Sequence, residues 1–422
     1  MKTDLLVILI IYALLQAFKY CLEYANVRHV RGLKDSIPPE FEGVLDRSML
    51  DKMRVYLGEK TRFDIIASAS ASLAIVVFLF GGLLDLYNSW VAGLGLPFVL
   101  SGWLFFLLVY LAGELLSVPF TLYFVFRIEN RHGFNTMTYG LWLADFLKGT
   151  MLSVVLLTLV SFAGFWLIER SPGAWWFLIW CFSLAFMIFI TYVSPYVIEP
   201  LFNKFTPVED GDLKARIMGL ASRAGINVSK VLRMDESKRS THTNAYFTGI
   251  GRTKRIILFD TLIQSMTPDE ILAVLAHEMG HWKRHHLLKG LAITQPALLI
   301  LIFCAYRAMQ GPFLSNLFGI AADTFFAKAV IVAFLLSMVS FFLKPAMNGF
   351  SRTLEREADR FSCDLGANGE TMVRVLVKLS KDNLSNLFPH PLYALFNYSH
   401  PPVLERIGYI RAYCAKNGAD RR

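Results

Sequence analysis

The 422-residue sequence predicts a mainly α membrane protein, with seven transmembrane helices and a smaller cytoplasmic α+β domain. Three observations carry that prediction. Seven apolar stretches are each long enough to cross a bilayer, which takes on the order of 20 residues. Only 18% of residues are charged and 55% are hydrophobic, where an ordinary soluble domain is roughly a quarter charged. Lys and Arg gather in the loops between the apolar stretches, as they do on the cytoplasmic face of a membrane protein.

The expected spans are 4–24, 65–87, 98–126, 146–168, 174–198, 287–307 and 325–344. The first lacks a small-residue cleavage site and has only Lys2 before its apolar run, so it reads as a retained span rather than a secretory signal. Arg28, Arg31, Lys34, Arg47, Lys52, Arg54, Lys60 and Arg62 fill the loop after it, whereas the loop between spans two and three has no Lys or Arg. Arg127 and Arg131 mark the three–four loop, and the segments 199–286 and 345–422 are rich in charge. Every basic loop falls on one side if the N-terminus is outside and the C-terminus inside, which predicts a cytoplasmic location for both polar segments. Four parts follow: five spans with their loops over 1–198, a polar cytoplasmic segment over 199–286, spans six and seven over 287–344, and a second polar cytoplasmic segment over 345–422.

Ionisable groups also occur within the spans. Lys148, Asp145 and Asp323 sit near span ends, where snorkelling to the interface accounts for them; Lys328 lies within the seventh. Glu114 is deeper and calls for a protein or water partner, since a charge facing lipid is expensive.

The chemistry is concentrated in segment 267–281. Thr267 is placed to cap a helix, Pro268 to start it and Glu270 to close a capping box. Ile271, Leu272, Val274 and Leu275 give it an apolar face. His277 and His281, four apart, project from one side and can share a metal ion. Glu278 beside them can accept a proton from an attacking water. This HExxH pattern points to a zinc-dependent peptidase with one Zn2+ per chain. His285 and His286 read as interfacial residues leading into span six.

A hydrolytic zinc site takes three protein ligands and leaves one position open. The third is expected in segment 351–359, a helix stopped by Gly366. Glu355 and Asp359 share a face, so one can ligate while the other orients a ligand histidine. Glu357 points about 200° away from Glu355 on a helix. A charged surface helix laced by Arg352, Arg356 and Arg360 is the alternative for this segment alone.

Upstream, Val231–Met234 and Arg255–Phe259 read as short strands, with Thr241–Phe247 between them and Gly249-Ile250-Gly251 as a turn. A strand beside the HExxH helix offers an edge to which an extended peptide can bond. The five cysteines are scattered, with no CxxC pair and no disulfide-like spacing, so neither a disulfide framework nor a thiolate metal site is expected. The net charge of +9 lies in loops between spans, which argues against nucleic-acid binding and for a lipid bilayer as the partner.

These features together resemble the type I CAAX prenyl proteases. The resemblance rests on Pro119-Phe120, on Glu129-Asn130-Arg131-His132-Gly133-Phe134-Asn135, and on Pro200 through Pro207. Asn244-Ala245-Tyr246-Phe247, His277 through Trp282, Glu355 to Asp359, and Tyr398-Ser399-His400-Pro401-Pro402 with Glu405-Arg406 complete it. It implies seven helices around a water-filled chamber capped by a zincin-like protease domain. It also implies that His277, His281 and Glu355 bind zinc, that Glu278 is the base and that Asp359 supports a ligand histidine. Asn244, with Ala245 and Tyr246 after it, would belong to the strand edge that receives substrate. His400 would stabilise the tetrahedral oxyanion. The expected substrate is a peptide or protein, such as a prenylated C-terminal CAAX sequence. The short six–seven loop and the lack of an ER-retrieval tail suggest a bacterial homologue in the inner membrane; a eukaryotic one would sit in the ER membrane.

Three other readings remain. One is a membrane quality-control protease with unprenylated substrates. Another is an intramembrane site-2-type protease, for which Asp364-Leu365-Gly366 is a reversed version of the ligand motif. The third is a metal-containing transporter or chaperone, against which Glu278 argues, since transport has no use for a base beside the metal.

Overall fold

The structure, a computed structural model, describes residues 2–33, 37–248, 254–366 and 368–419. Among them, seven helices are long and apolar enough to cross a membrane: Thr3–Gly32, Arg47–Phe80, Phe98–His132, Tyr139–Arg170, Trp175–Phe202, His286–Ala308 and Phe325–Asp364. Two differ from expectation in ways the chain explains. The second span stops at Phe80 rather than near 87, because Gly81 caps it and Gly82 takes φ 81°, turning the chain into a separate short helix, Leu83–Gly93. The seventh does not end at 344. It continues without a break through Pro345 to Asp364, and Gly366 at φ 88° follows its end.

Each span packs on its chain neighbours in turn, from the first to the seventh. Tyr12 against Phe334 (5.1 Å between ring centroids) and Phe18 against Phe341 (5.9 Å) join the seventh back to the first. The result is a closed ring. Helices in a solid bundle bury one face, yet no more than 22% of the most apolar window of any of the first six spans is buried. The ring therefore surrounds a chamber rather than a core.

One end of the chamber is plugged. Leu84, Phe105, Phe165, Leu314, Phe318 and Phe326 form a buried cluster there, drawing in the short helices Leu83–Gly93 and Phe313–Phe318. Asp323, expected to snorkel, instead pairs with buried Lys328 at 3.1 Å and accepts a hydrogen bond from Ser315 at 2.5 Å. The polar segments 199–286 and 345–422 close the other end. Their core joins Ile217, Ile256, Leu275 and Met279 to Val375 and Ile407. It also takes in Phe41, Leu50 and Tyr56 from the loop and helix start after span one. Asp145 is not a snorkelling group either. Arg239 grips it with Nε and Nη2 at 2.8 and 3.1 Å, fastening segment 199–286 to span four.

The sheet has the order β1-β2-β4-β3, with β1 Phe205–Pro207, β2 Val228–Met234, β3 Ala245–Thr248 and β4 Lys254–Phe259. The two outer strands run antiparallel to their neighbours, while β2 and β4 are parallel. β3 is thus an edge strand, and it lies against the HExxH helix. The Gly249-Ile250-Gly251 turn lies outside the described residues.

The cysteine expectation is overturned. Cys363, at the end of the long helix, forms a disulfide with Cys414 in the C-terminal helix Val403–Ala419. The two are 51 residues apart, a separation that only the tertiary fold closes.

Candidate metal centre and active site

The HExxH helix, Pro268–Lys283, starts as its sequence dictates. Thr267 accepts from the Glu270 amide at 3.4 Å, and the Glu270 carboxylate accepts from the Thr267 amide at 2.9 Å. Ile271, Leu275 and Met279 bury one face in the protease core. Gly280 faces the long helix so closely that a Cβ there would lie 2.8 Å from the Ala358 Cα. This backbone contact brings His277 and His281 to Glu355, on the turn before Ala358.

Nε2 of His277 and Nε2 of His281 are 3.2 Å apart. Each lies 3.3 Å from an oxygen of Glu355. Ligands about 2.05 Å from a tetrahedral ion are separated by about 3.3 Å, and each of these three separations is of that size, the two to Glu355 ending on its two different oxygens. The far sides of both imidazoles are already engaged. His277 Nδ1 is 2.9 Å from Asp359 Oδ1, and His281 Nδ1 is 2.9 Å from His286 Nδ1. Oε2 of Glu355 is buried and has no hydrogen-bond partner. An orphaned buried carboxylate oxygen is costly unless a cation or donor completes it, so the donor set fits a divalent metal. Among the described residues this is the His/Cys/Asp/Glu group placed to hold one.

The surrounding groups hold this arrangement. Arg406 clamps Asp359 in a fork, Nε to Oδ2 at 2.8 Å and Nη2 to Oδ1 at 2.7 Å, with Asp359 almost fully buried. Glu278 is partly buried beside the two histidines. Burial raises its pKa above the ordinary glutamate value, while the charges of His277 and His281 pull it down. His400 is exposed, with Nε2 3.3 Å from Glu355 Oε1 and Nδ1 3.0 Å from the Ser399 hydroxyl. Desolvation beside the site lowers its pKa from the ordinary histidine value. A cavity of about 930 Å³ opens beside it, lined by Asn26, Tyr56, Lys60 and Asp64 from the first two spans and by Tyr398 and Arg406.

The structure thus brings His277, Glu278, His281, Glu355, Asp359 and His400 to one place. Asn244 immediately precedes β3; its side chain accepts from the Ala245 amide at 2.8 Å and its carbonyl from the Phe259 amide at 3.1 Å. Ala245 is buried opposite Leu258 in β4, and the Tyr246 hydroxyl donates to Glu199 at 2.9 Å, on the face away from the HExxH helix. Two residues escaped the sequence reading. Arg406 was noted only within a motif, because its partner Asp359 lies 47 residues away. His286, expected at the interface, is instead buried between His281 and Glu357. The His285-His286 doublet directly after HExxH was the available signal.

Residues 26–204 match a family model described as CAAX prenyl protease N-terminal, five membrane helices, and residues 207–413 match peptidase family M48. The chain is 34% identical to a CAAX prenyl protease 1 homolog of Arabidopsis thaliana, covering 91% of this chain and 92% of that one. CAAX prenyl protease 1 of Saccharomyces cerevisiae is 32% identical over 91% of this chain and 90% of its own length. The crystal structure of S. mikatae Ste24p superposes with a TM-score of 0.90 at 29% identity, covering 97% of this chain and 99% of that one. With both halves matched and relatives aligned over nine-tenths of its length, the chain belongs to the membrane-embedded CAAX prenyl protease branch of the M48 metallopeptidases.

Proposed function

We propose that the protein is a zinc metalloendopeptidase that removes the C-terminal tripeptide of prenylated CAAX substrates on the cytoplasmic side of its membrane. The observation that carries the reading is the convergence of His277 Nε2, His281 Nε2 and the Glu355 carboxylate, whose buried Oε2 has no hydrogen-bond partner. In this reading these three residues hold one zinc ion. The borderline-soft imidazole and carboxylate set suits zinc, and both histidines are oriented from behind. The ion, when bound, supplies Lewis acidity toward water and the scissile carbonyl.

The chain supplies the rest. Glu278 takes the proton from the attacking water and returns it to the leaving amine, a role helped by burial that keeps its carboxyl basic. Asp359, held by Arg406, keeps His277 in the tautomer whose Nε2 lone pair faces the centre. His400, on the open side, donates to the oxyanion. The free edge of β3 from Asn244 onward takes the extended peptide by backbone hydrogen bonds. The cavity beside His400 is lined in part by the first two spans, which fits a substrate whose lipid stays among the spans. The basic loops favour a cytoplasmic active site, with 199–286 and 345–422 working as one protease unit; the short six–seven loop favours a bacterial inner membrane.

The test is Glu278→Gln, assayed on a farnesylated CAAX peptide and its unprenylated twin. Zinc content should stay near one per chain while tripeptide release falls by at least about 10²–10⁴-fold. Parental turnover in the variant would remove hydrolysis from this helix. Equal cleavage of both peptides by the parent would favour unprenylated substrates.

A further inference from the structure

We infer that His286, held by Glu357, is a positioning residue for the metal ligand His281, so that the first turn of span six is wired to the metal centre. The inference rests on the proposed metal site and adds to it how its second histidine is oriented. Between the HExxH helix and span six the chain makes one sharp turn, with His285 in the left-handed region at φ 55°. A non-glycine residue there is unusual and marks a position the surroundings over-determine. The turn drives the His286 side chain inward: it is 6% exposed, while His285 is exposed. His286 Nδ1 lies 2.9 Å from His281 Nδ1, His286 Nε2 lies 3.1 Å from Glu357 Oε2, and the Lys289 ammonium, one turn on, reaches the same oxygen at 2.5 Å.

One arrangement of protons is compatible with metal binding. His281 must present a bare Nε2 to the centre, so its proton is on Nδ1. Two N–H groups cannot face each other at 2.9 Å, so His286 Nδ1 is the acceptor and His286 carries its proton on Nε2. That proton goes to Glu357, whose charge Lys289 balances. The two ligand histidines are thus oriented differently: His277 directly by a carboxylate, His281 through an intervening imidazole. Outer-shell partners of ligating histidines are typically worth 10–100-fold in metal affinity.

The test uses the geometry of two near-isosteres. An Asn amide can put an acceptor where Nδ1 stands, and a Gln amide can put a donor where Nε2 stands. Each full-length variant is purified in detergent, stripped of metal and titrated with zinc against a chromophoric chelator, with the Tm of the metal-free protein recorded alongside. His286→Asn should hold zinc within about threefold of the parent, while His286→Gln and His286→Phe should weaken it about 10–100-fold at unchanged metal-free Tm. Gln binding as tightly as Asn, or Phe as tightly as the parent, overturns the inference. If Phe prevents folding, the Asn–Gln comparison decides alone. If the parent itself binds no stoichiometric zinc, the metal centre falls, and the role of His286 with it.

Discussion

Replacing Gly280 by alanine should separate the metal centre from the fold that carries it. The new Cβ would lie 2.8 Å from the Ala358 Cα, 3.0 Å from its carbonyl oxygen and 3.2 Å from its Cβ. Two of these atoms are backbone, so no rotamer change relieves the clash, and ordinary contact begins only at 3.4 Å. The HExxH helix and the long helix must part by roughly 0.6 Å or more, several times the ±0.2 Å that metal–ligand distances tolerate. Stability moves much less. Overpacking costs about 1–3 kcal/mol, and Gly→Ala within a helix returns up to about 1 kcal/mol. The assay is zinc content after dialysis against zinc-free buffer, with thermal unfolding on the same sample. The variant should unfold within a few degrees of the metal-free parent yet retain little zinc. Gly408→Ala is the control: a Cβ there meets nothing within 4 Å, so Tm should rise slightly with zinc unchanged. A Gly280→Ala protein with full zinc and raised Tm would refute the claim that this approach sets the ligand spacing.

Other outcomes follow from the same geometry. Glu355→Ala should empty the metal site, whereas Glu357→Ala should weaken it no more than about 100-fold; elemental analysis showing the reverse ranking would reassign the third ligand. The Cys363–Cys414 disulfide closes a 51-residue separation and is worth at most about 4 kcal/mol, so Cys414→Ser should lower Tm without reductant and change it little with reductant. The pKa of His242 is raised, chiefly by its hydrogen bond to Glu129 and then by that to Asn383, with burial and, less, Lys60 opposing. That stabilisation is present below pH 6.5 and lost as pH rises through the raised value, so the Tm deficit of His242→Gln should be larger at pH 6 than at pH 9. Cysteines at Gly93 and Lys230, with Cys21, Cys181 and Cys304 replaced by serine, should be labelled from opposite membrane faces by an impermeant reagent.

How much was legible divides by sequence distance. The spans were readable because lipid demands long apolar runs, and the start of the HExxH helix because a capping box is closed within four residues. The second span was overrun because its apolar run continues through Gly81-Gly82, where only the positive φ of Gly82 ends the helix. Asp145 and Asp323 are not snorkelling groups because tertiary packing supplies their partners, Arg239 and Lys328 with Ser315, which the local sequence does not mark. The same holds for His286 with Glu357, 71 residues apart, and for Cys363 with Cys414. Glu355 was findable because a hydrolytic site demands a third ligand; nothing local demanded Arg406 or His286. The parallel pairing of β2 with β4 was invisible, since a strand run carries no mark of its neighbour's direction.

The unbroken helix Phe325–Asp364 has a mechanical consequence. Its first half sits in lipid and its last turns bear Glu355 and Asp359, so the span and the ligand arm are one rod. Glu355 stands about 30 Å from Leu335 in mid-span, at 1.5 Å per residue. A tilt of about 2° at Leu335 therefore swings the carboxylate by about 1 Å, and spans tilt when bilayer thickness changes. Asn348, donating to the Phe396 carbonyl at 2.7 Å, and Arg352, donating to the Tyr398 carbonyl at 2.7 Å, are the struts that resist this swing. Hydrolysis measured in vesicles of increasing acyl-chain length should therefore vary with bilayer thickness.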